Sequence, residues 1–483
     1  MKPELDHATQ EIIDLFMKLA EIPRKSGHER AVSDYLLKWA TAHGFKAIQD
    51  QINNVIIEKP ADSGCETKPL TILQGHMDMV CVADEGYDYD PLTDSIQVVN
   101  NNNETLTAFH TSLGADDGIG VAIAQYILTS ATGCGPLRVI FTVNEEELML
   151  GAKELDSSHL NAACLINLDS ENDSILTNSS AGGMSVIMEN TPDVLPPLLD
   201  KPICLSISGL TGGHSGVEIN AGRLNAIRAI SYTLLALEQA NIHYELSSIS
   251  GGTADNAIPS SCNAEILIHS TDFALFDATF TQVKQLLHNT YCHIEKNMNF
   301  TYCDSTMPKE VLSDFDRSSV VTCTTQVING VNTMSPFIYG LVQSSSNLGI
   351  IKIDTAGIFI SVYWRSSDEL FIEQMNAQNT ALSQMCGLSL TLKSRAPGWP
   401  INPDSILVPL VKRIYKEQTG NDLAVEAIHA GLECSWFYQK NPDLDLISVG
   451  PNLHAVHSPG ETLEIASISK TLNLVLETLQ RLS

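Results

Sequence analysis

Apolar runs of strand length that stop abruptly on histidine or acidic residues recur along this chain, and they limit its architecture more than any other feature. Pro69-Leu70-Thr71-Ile72-Leu73 runs into Gln74-Gly75-His76-Met77-Asp78. Residues 137–143 run into Asn144-Glu145-Glu146-Glu147, and residues 163–168 run into Asp169. Between them, Gly114-Ala115-Asp116-Asp117-Gly118 opens a segment with Ile119, Ile123, Tyr126 and Ile127 at helical spacing. Strands alternating with helices predict an α/β layer architecture, in which ligands gather at the carboxyl ends of the strands. His76, Asp78, Asp116, Glu145, Glu146 and Asp169 are therefore candidates for one site. His457, beyond an apolar run at residues 445–449, is another.

Outside these motifs the pattern divides the chain. Ile12, Phe16 and Leu19 mark a first helix, and Ser26 with Glu29 has the spacing of a capping box for a second. From about residue 181 the texture turns richer in Ser, Thr, Asn and Gly, with a long helix expected from Asn220. The first style returns near residue 393. These shifts predict a catalytic domain made of residues 1–184 and 393–483, interrupted by an α/β domain at residues 185–392; such insertions are tolerated where chain ends lie close together.

A chain of 483 residues exceeds one simple core, which agrees with that division. Its 57 acidic residues against 28 Lys and Arg give a formal charge of −29, a surface that repels nucleic acid and anionic membranes. No uncharged apolar run is long enough to span a bilayer, and the N-terminal residues lack a secretory pattern. The 11 cysteines contain no Cys-x-x-Cys and read as reduced thiols of a cytosolic protein.

Carboxylates gathered without Lys or Arg beside them repel one another unless a cation neutralises them. A mixed histidine and carboxylate set suits Zn²⁺, with Co²⁺ or Mn²⁺ as substitutes. Other patterns fail: His28-Glu29 lacks the second histidine of H-E-x-x-H, Gly213-His214-Ser215-Gly216 is one residue short of G-x-S-x-G, and no Walker loop is present.

Gly75-His76-Met77-Asp78, Gly114-Ala115-Asp116-Asp117, residues 141–146, Asp169 and His457 together, in this order, resemble the metal-site signature of the co-catalytic zinc exopeptidases. That family includes carboxypeptidase G, peptidase T and carnosinase. The run after Ser170 and Val456-His457-Ser458-Pro459-Gly460-Glu461 are most similar to the bacterial aminoacyl-histidine dipeptidases. The resemblance implies a mixed-sheet catalytic domain with an inserted α/β lid that forms a homodimer. It implies two zinc ions bridged by Asp116, with His76 and Asp169 completing one site and Glu146 and His457 the other. Asp78 would orient His76, Glu145 would be the general base, and His214 would supply an oxyanion donor. Asn256 and Arg365 would hold substrate, a guanidinium fork suiting a terminal carboxylate. The implied activity is hydrolysis of unblocked dipeptides, including carnosine-like ones, and Asp rather than Glu at position 169 goes with that class. The resemblance leaves Asp117, Glu147 and Glu433 without a role. A metal-dependent deacylase or carboxypeptidase, a binuclear phosphoesterase and a non-catalytic metal-binding protein are the competing readings.

Overall fold

The computed structural model describes residues 5–336 and 338–483, folded into two compact units. The first contains residues 5–180, 399–427 and 432–483; the second contains residues 181–336, 338–398 and 428–431.

The first unit is built on an eight-stranded mixed sheet. At its centre the strand Thr71–His76 is buried along its whole length, as a strand covered on both faces must be. It pairs in parallel with Leu137–Thr142 on one side and Cys164–Asn167 on the other, and the latter pairs in parallel with Asp445–Ser448. Four carboxyl ends therefore open on the same edge, and the motifs singled out above follow them. The helix Ala115–Ser130 packs on this sheet, apolar around nearly its whole circumference, and is correspondingly buried. The helix His7–Ala20 covers it from outside, capped by Asp6, whose side chain accepts from the Thr9 N–H at 2.8 Å.

The second unit is a nine-stranded sheet whose paired strands all run antiparallel. Its central hairpin joins Val342–Asp354 to Gly357–Ser366. The helices Ala226–Gln239 and Asp314–Gln326 pack together with the sheet in a core that includes Ile227, Leu234, Val320 and Trp364.

Two local expectations differ from the structure. The helix expected from Asn220 begins at Ala226, because a short 3₁₀ turn and the left-handed Gly222 intervene and Asn225 supplies the cap. The capping box at Ser26 and Glu29 does not form. Both side chains are used elsewhere: Ser26 Oγ donates to Asp78 Oδ2 at 2.8 Å, and Glu29 accepts the Asn144 N–H at 3.0 Å.

Candidate active site

Asp116 is the centre of the cluster in the first unit. Its Oδ1 lies 3.2 Å from His76 Nε2 and its Oδ2 lies 3.1 Å from His457 Nε2. Each imidazole faces a second carboxylate, His76 Nε2 at 3.3 Å from Asp169 Oδ1 and His457 Nε2 at 2.9 Å from Glu146 Oε2. Ligand atoms of His76, Asp116 and Glu146 fall within 4.8 Å of one another. Among the described residues no Lys or Arg forms an ion pair with these carboxylates. All five sequence candidates for metal ligation thus come together.

The electrostatics follow from that geometry. Burial pushes the carboxyls of Asp169 and Glu145 well above their ordinary range. Burial acts on Asp116 in the same sense, but the two facing imidazoles outweigh it and hold Asp116 low. Hydrogen bonds to Asp116 and Glu146 carry His457 up to about 11. For His76 burial opposes the charge, yet Asp169, Asp116 and Asp78 together raise it well above its usual value.

Asp78 is fully buried and ties three parts of the cluster. Its Oδ1 stands 3.5 Å from His76 Nδ1 and accepts the Glu145 N–H at 3.0 Å, while Oδ2 accepts the Glu146 N–H at 3.3 Å. One carboxylate therefore sets both the ring of His76 and the backbone from which Glu145 and Glu146 project. Glu147, next in the run, is exposed and turned away toward the Asn144 amide.

Four further residues complete the scaffold. Asp117 accepts the His76 N–H at 3.1 Å and fills the space beside Gly75, where a Cβ would overlap its carboxylate. Glu461 accepts the N–H groups of Leu113, Gly114, Ala115 and Asp116 at 2.8–3.3 Å, a carboxylate on the start of a helix. Arg24 donates to the carbonyls of Met77 and Asp78 at 3.0 Å, and also to that of Gly114, so it pins the strand end to the helix start. Below the cluster Glu433 accepts from Gln74 at 2.6 Å and Thr142 at 2.7 Å, and burial carries its carboxyl up to about 7. Glu461 lay within a motif already noted, four residues after His457. Arg24 carried no local signal, because its partners are backbone carbonyls far away in sequence.

The second unit brings His214, Arg365 and His429 together. Arg365 is 5% exposed, has no ion pair among the described residues, and places Nη2 3.4 Å from His214 Nε2. Its guanidinium lies 4.5 Å from the centre of the Tyr363 ring. His429 Nε2 lies 2.7 Å from Ser345 Oγ, and burial, with Arg365 and His214 adding to it, lowers this imidazole to about 3. Asn256 meets the same loop through its backbone, its carbonyl accepting the Ser215 N–H at 2.8 Å. Its side chain is exposed.

Comparison with known proteins accords with this geometry. Residues 205–294 match the peptidase dimerisation domain of the M20 family. Over 475 residues, 98% of both chains, the sequence is 31% identical to the cytosol non-specific dipeptidase of Escherichia coli (strain K12). This chain belongs to the M20 peptidase family. Among solved M20 structures, the aminoacylhistidine dipeptidase of Vibrio alginolyticus superposes with a TM-score of 0.90 at 29% identity, covering 98% of this chain and 96% of that one. The aminopeptidase PepT of Bacillus cereus shares the fold at a TM-score of 0.56 and 14% identity, with 98% of each chain covered. No described helix is long and apolar enough to cross a membrane.

Proposed function

We propose that this M20 peptidase hydrolyses unblocked dipeptides in the cytoplasm, aminoacyl-histidine dipeptides such as carnosine among them, with two zinc ions per chain. Co²⁺ or Mn²⁺ would substitute. The observation that carries this reading is the symmetry about Asp116: each of its oxygens faces one imidazole, and each imidazole faces one further carboxylate. The donor set fits the metal, being nitrogen and oxygen only, and the buried Oε1 of Glu146 has no partner. Asp116 would be shared, His76 and Asp169 would hold one ion, and Glu146 and His457 the other.

When bound, the ions supply polarisation of the scissile carbonyl and a water of lowered pKa. Everything else falls to the chain. Glu145 takes the proton of the attacking water and returns it to the leaving amine; burial raises its carboxyl toward the range useful for both transfers. Asp78 keeps Glu145 and His76 in register through the bonds described above. His214 supplies the donor for the developing oxyanion. Arg365 takes the terminal carboxylate of the substrate, and Asn256 helps hold the peptide. The unit carrying the dimerisation-domain match would join two copies of the chain, so the solution mass should be twice 52.5 kDa.

A substrate panel tests the activity. Acetylating the amine, amidating the carboxyl or adding a third residue should each lower kcat/KM by a factor of roughly 100 or more, because a buried polar partner is left unpaired. Equal rates on a dipeptide and its N-acetylated form would favour a deacylase or carboxypeptidase instead.

A further inference from the structure

His214 sits in a loop whose hydrogen bonds determine which ring nitrogen carries the proton. Its Nδ1 faces two backbone N–H groups, those of Gly216 and Val217, each at 3.3 Å. A nitrogen that accepts from two donors cannot carry a hydrogen itself, so the neutral ring must be protonated on Nε2. Burial first, then Arg365, lowers the proton affinity of this imidazole, which keeps it neutral near pH 7. Its 3.4 Å contact with Arg365 Nη2 is then a meeting of two donors rather than a hydrogen bond between them. Among the described residues neither group has another hydrogen-bond partner.

The loop is held in this form by an ion pair behind it. Glu218 Oε2 accepts the N–H of His214 at 2.7 Å, while Glu218 Oε1 accepts from Arg223 Nη2 at 2.5 Å. Arg223 Nη1 closes the ring on the Gly212 carbonyl, also at 2.5 Å. The glycines make room for this arrangement. Gly213 has φ +120°, and a Cβ there would overlap both Arg223 and Glu218. A Cβ at Gly216 would press on the His214 ring. Ser215 N–H and the Gly213 carbonyl bond to Asn256 and Ile258 at 2.8 Å, which fastens the loop to the neighbouring segment.

We propose that Glu218, paired with Arg223, is a positioning residue that locks His214 as a permanent Nε2–H donor for the developing oxyanion, with the Arg365 guanidinium beside it left for the terminal carboxylate. His214 therefore acts only as a hydrogen-bond donor and never as the base, a division that leaves proton transfer to Glu145. The proposal deepens the dipeptidase reading and rests on it for the identity of the oxygen, but the tautomer can be tested without turnover.

The experiment has two arms on the full-length metal-loaded enzyme. In the first, ¹⁵N-histidine labelling, with the His214 signals identified by their loss in His214→Gln, reads the protonation of each ring nitrogen between about pH 6 and 8. The expected result is an unprotonated Nδ1 and a protonated Nε2 throughout, with the second tautomer appearing in Glu218→Ala. In the second arm, Glu218→Ala should lower kcat about tenfold or more with KM within about threefold, and Glu218→Gln, which can still accept the His214 N–H but gives up the pairing with Arg223, should give a kcat between those of Glu218→Ala and the unmodified protein. A proton on Nδ1 in the unmodified protein, or an unchanged kcat in Glu218→Ala, would overturn the proposal. If no dipeptide is cleaved at all, the dipeptidase reading fails, and the spectra still decide the tautomer.

Discussion

Around Asp116, carboxylates outnumber imidazoles and no Lys or Arg among the described residues pairs with them, whereas the second unit gathers His214, Arg365 and His429 with no ion pair to the guanidinium among those residues. The two clusters are opposite in sign but alike in construction. In each, backbone groups absorb the polar side chains that do the holding: Glu461 and Asp78 accept N–H groups, Arg24 donates to carbonyls, and His214 accepts from its own turn. The charges left over are those suited to a ligand, a cation for the acidic cluster and an anion for Arg365. A charge buried without its partner is costly to the folded state, so the contrast also separates what each cluster contributes to stability from what it contributes to binding.

The largest expected effect strikes the acidic cluster alone. Glu145→Gln keeps the shape of the side chain but cannot take a proton, so kcat should fall by roughly 10²–10⁴ while bound metal and KM stay near their starting values. An unchanged kcat would move the base to another residue. Next is Arg365→Met in the cationic cluster, which should act on binding rather than on chemistry. KM should rise about 30-fold or more, and the melting temperature should not fall, because the variant no longer buries an unpaired charge. If KM held and stability dropped, Arg365 would be a structural residue and the contrast between the clusters would fail.

The smallest effect probes the floor of the acidic cluster. Burial raises the Glu433 carboxyl from 4.5 to about 7. A carboxyl raised in the folded state binds its proton more tightly there than when unfolded, so its contribution is intact below pH 4.5 and is lost as pH climbs to about 7. The total is roughly 3 kcal/mol. In metal-depleted protein, denaturant unfolding of wild type against Glu433→Gln should therefore show the wild type losing ground over that window and levelling off above it. A difference independent of pH would mean that Glu433 is ionised throughout.

Most of the acidic site was legible because its ligands lie within a few residues of strand ends, where a local pattern and a topological rule coincide. His76, Glu145, Glu146 and Asp169 all follow parallel strands, and Asp116 starts the helix that packs on them. The parts that sequence did not disclose are the long-range supports. Ser26 and Glu29 have the spacing of a helix cap yet bond to Asp78 and Asn144, because those buried donors and acceptors compete successfully for them. Arg24 and Glu461 serve backbone groups, which leave no trace in residue type. In the second unit, the glycines around His214 pointed to close backbone approach, but the pairing of Glu218 with Arg223 that they accommodate is visible only in three dimensions.

Metal stoichiometry measured against activity bears most directly on the central claim, that Asp116 joins two ion sites. Metal-free protein titrated with Zn²⁺, with bound metal counted by mass spectrometry at each activity point, should reach full activity at about two ions per chain. In Asp116→Asn, a neutral bridge, the second equivalent should bind far more weakly. Full activity at one ion per chain, or in its absence, would contradict the account.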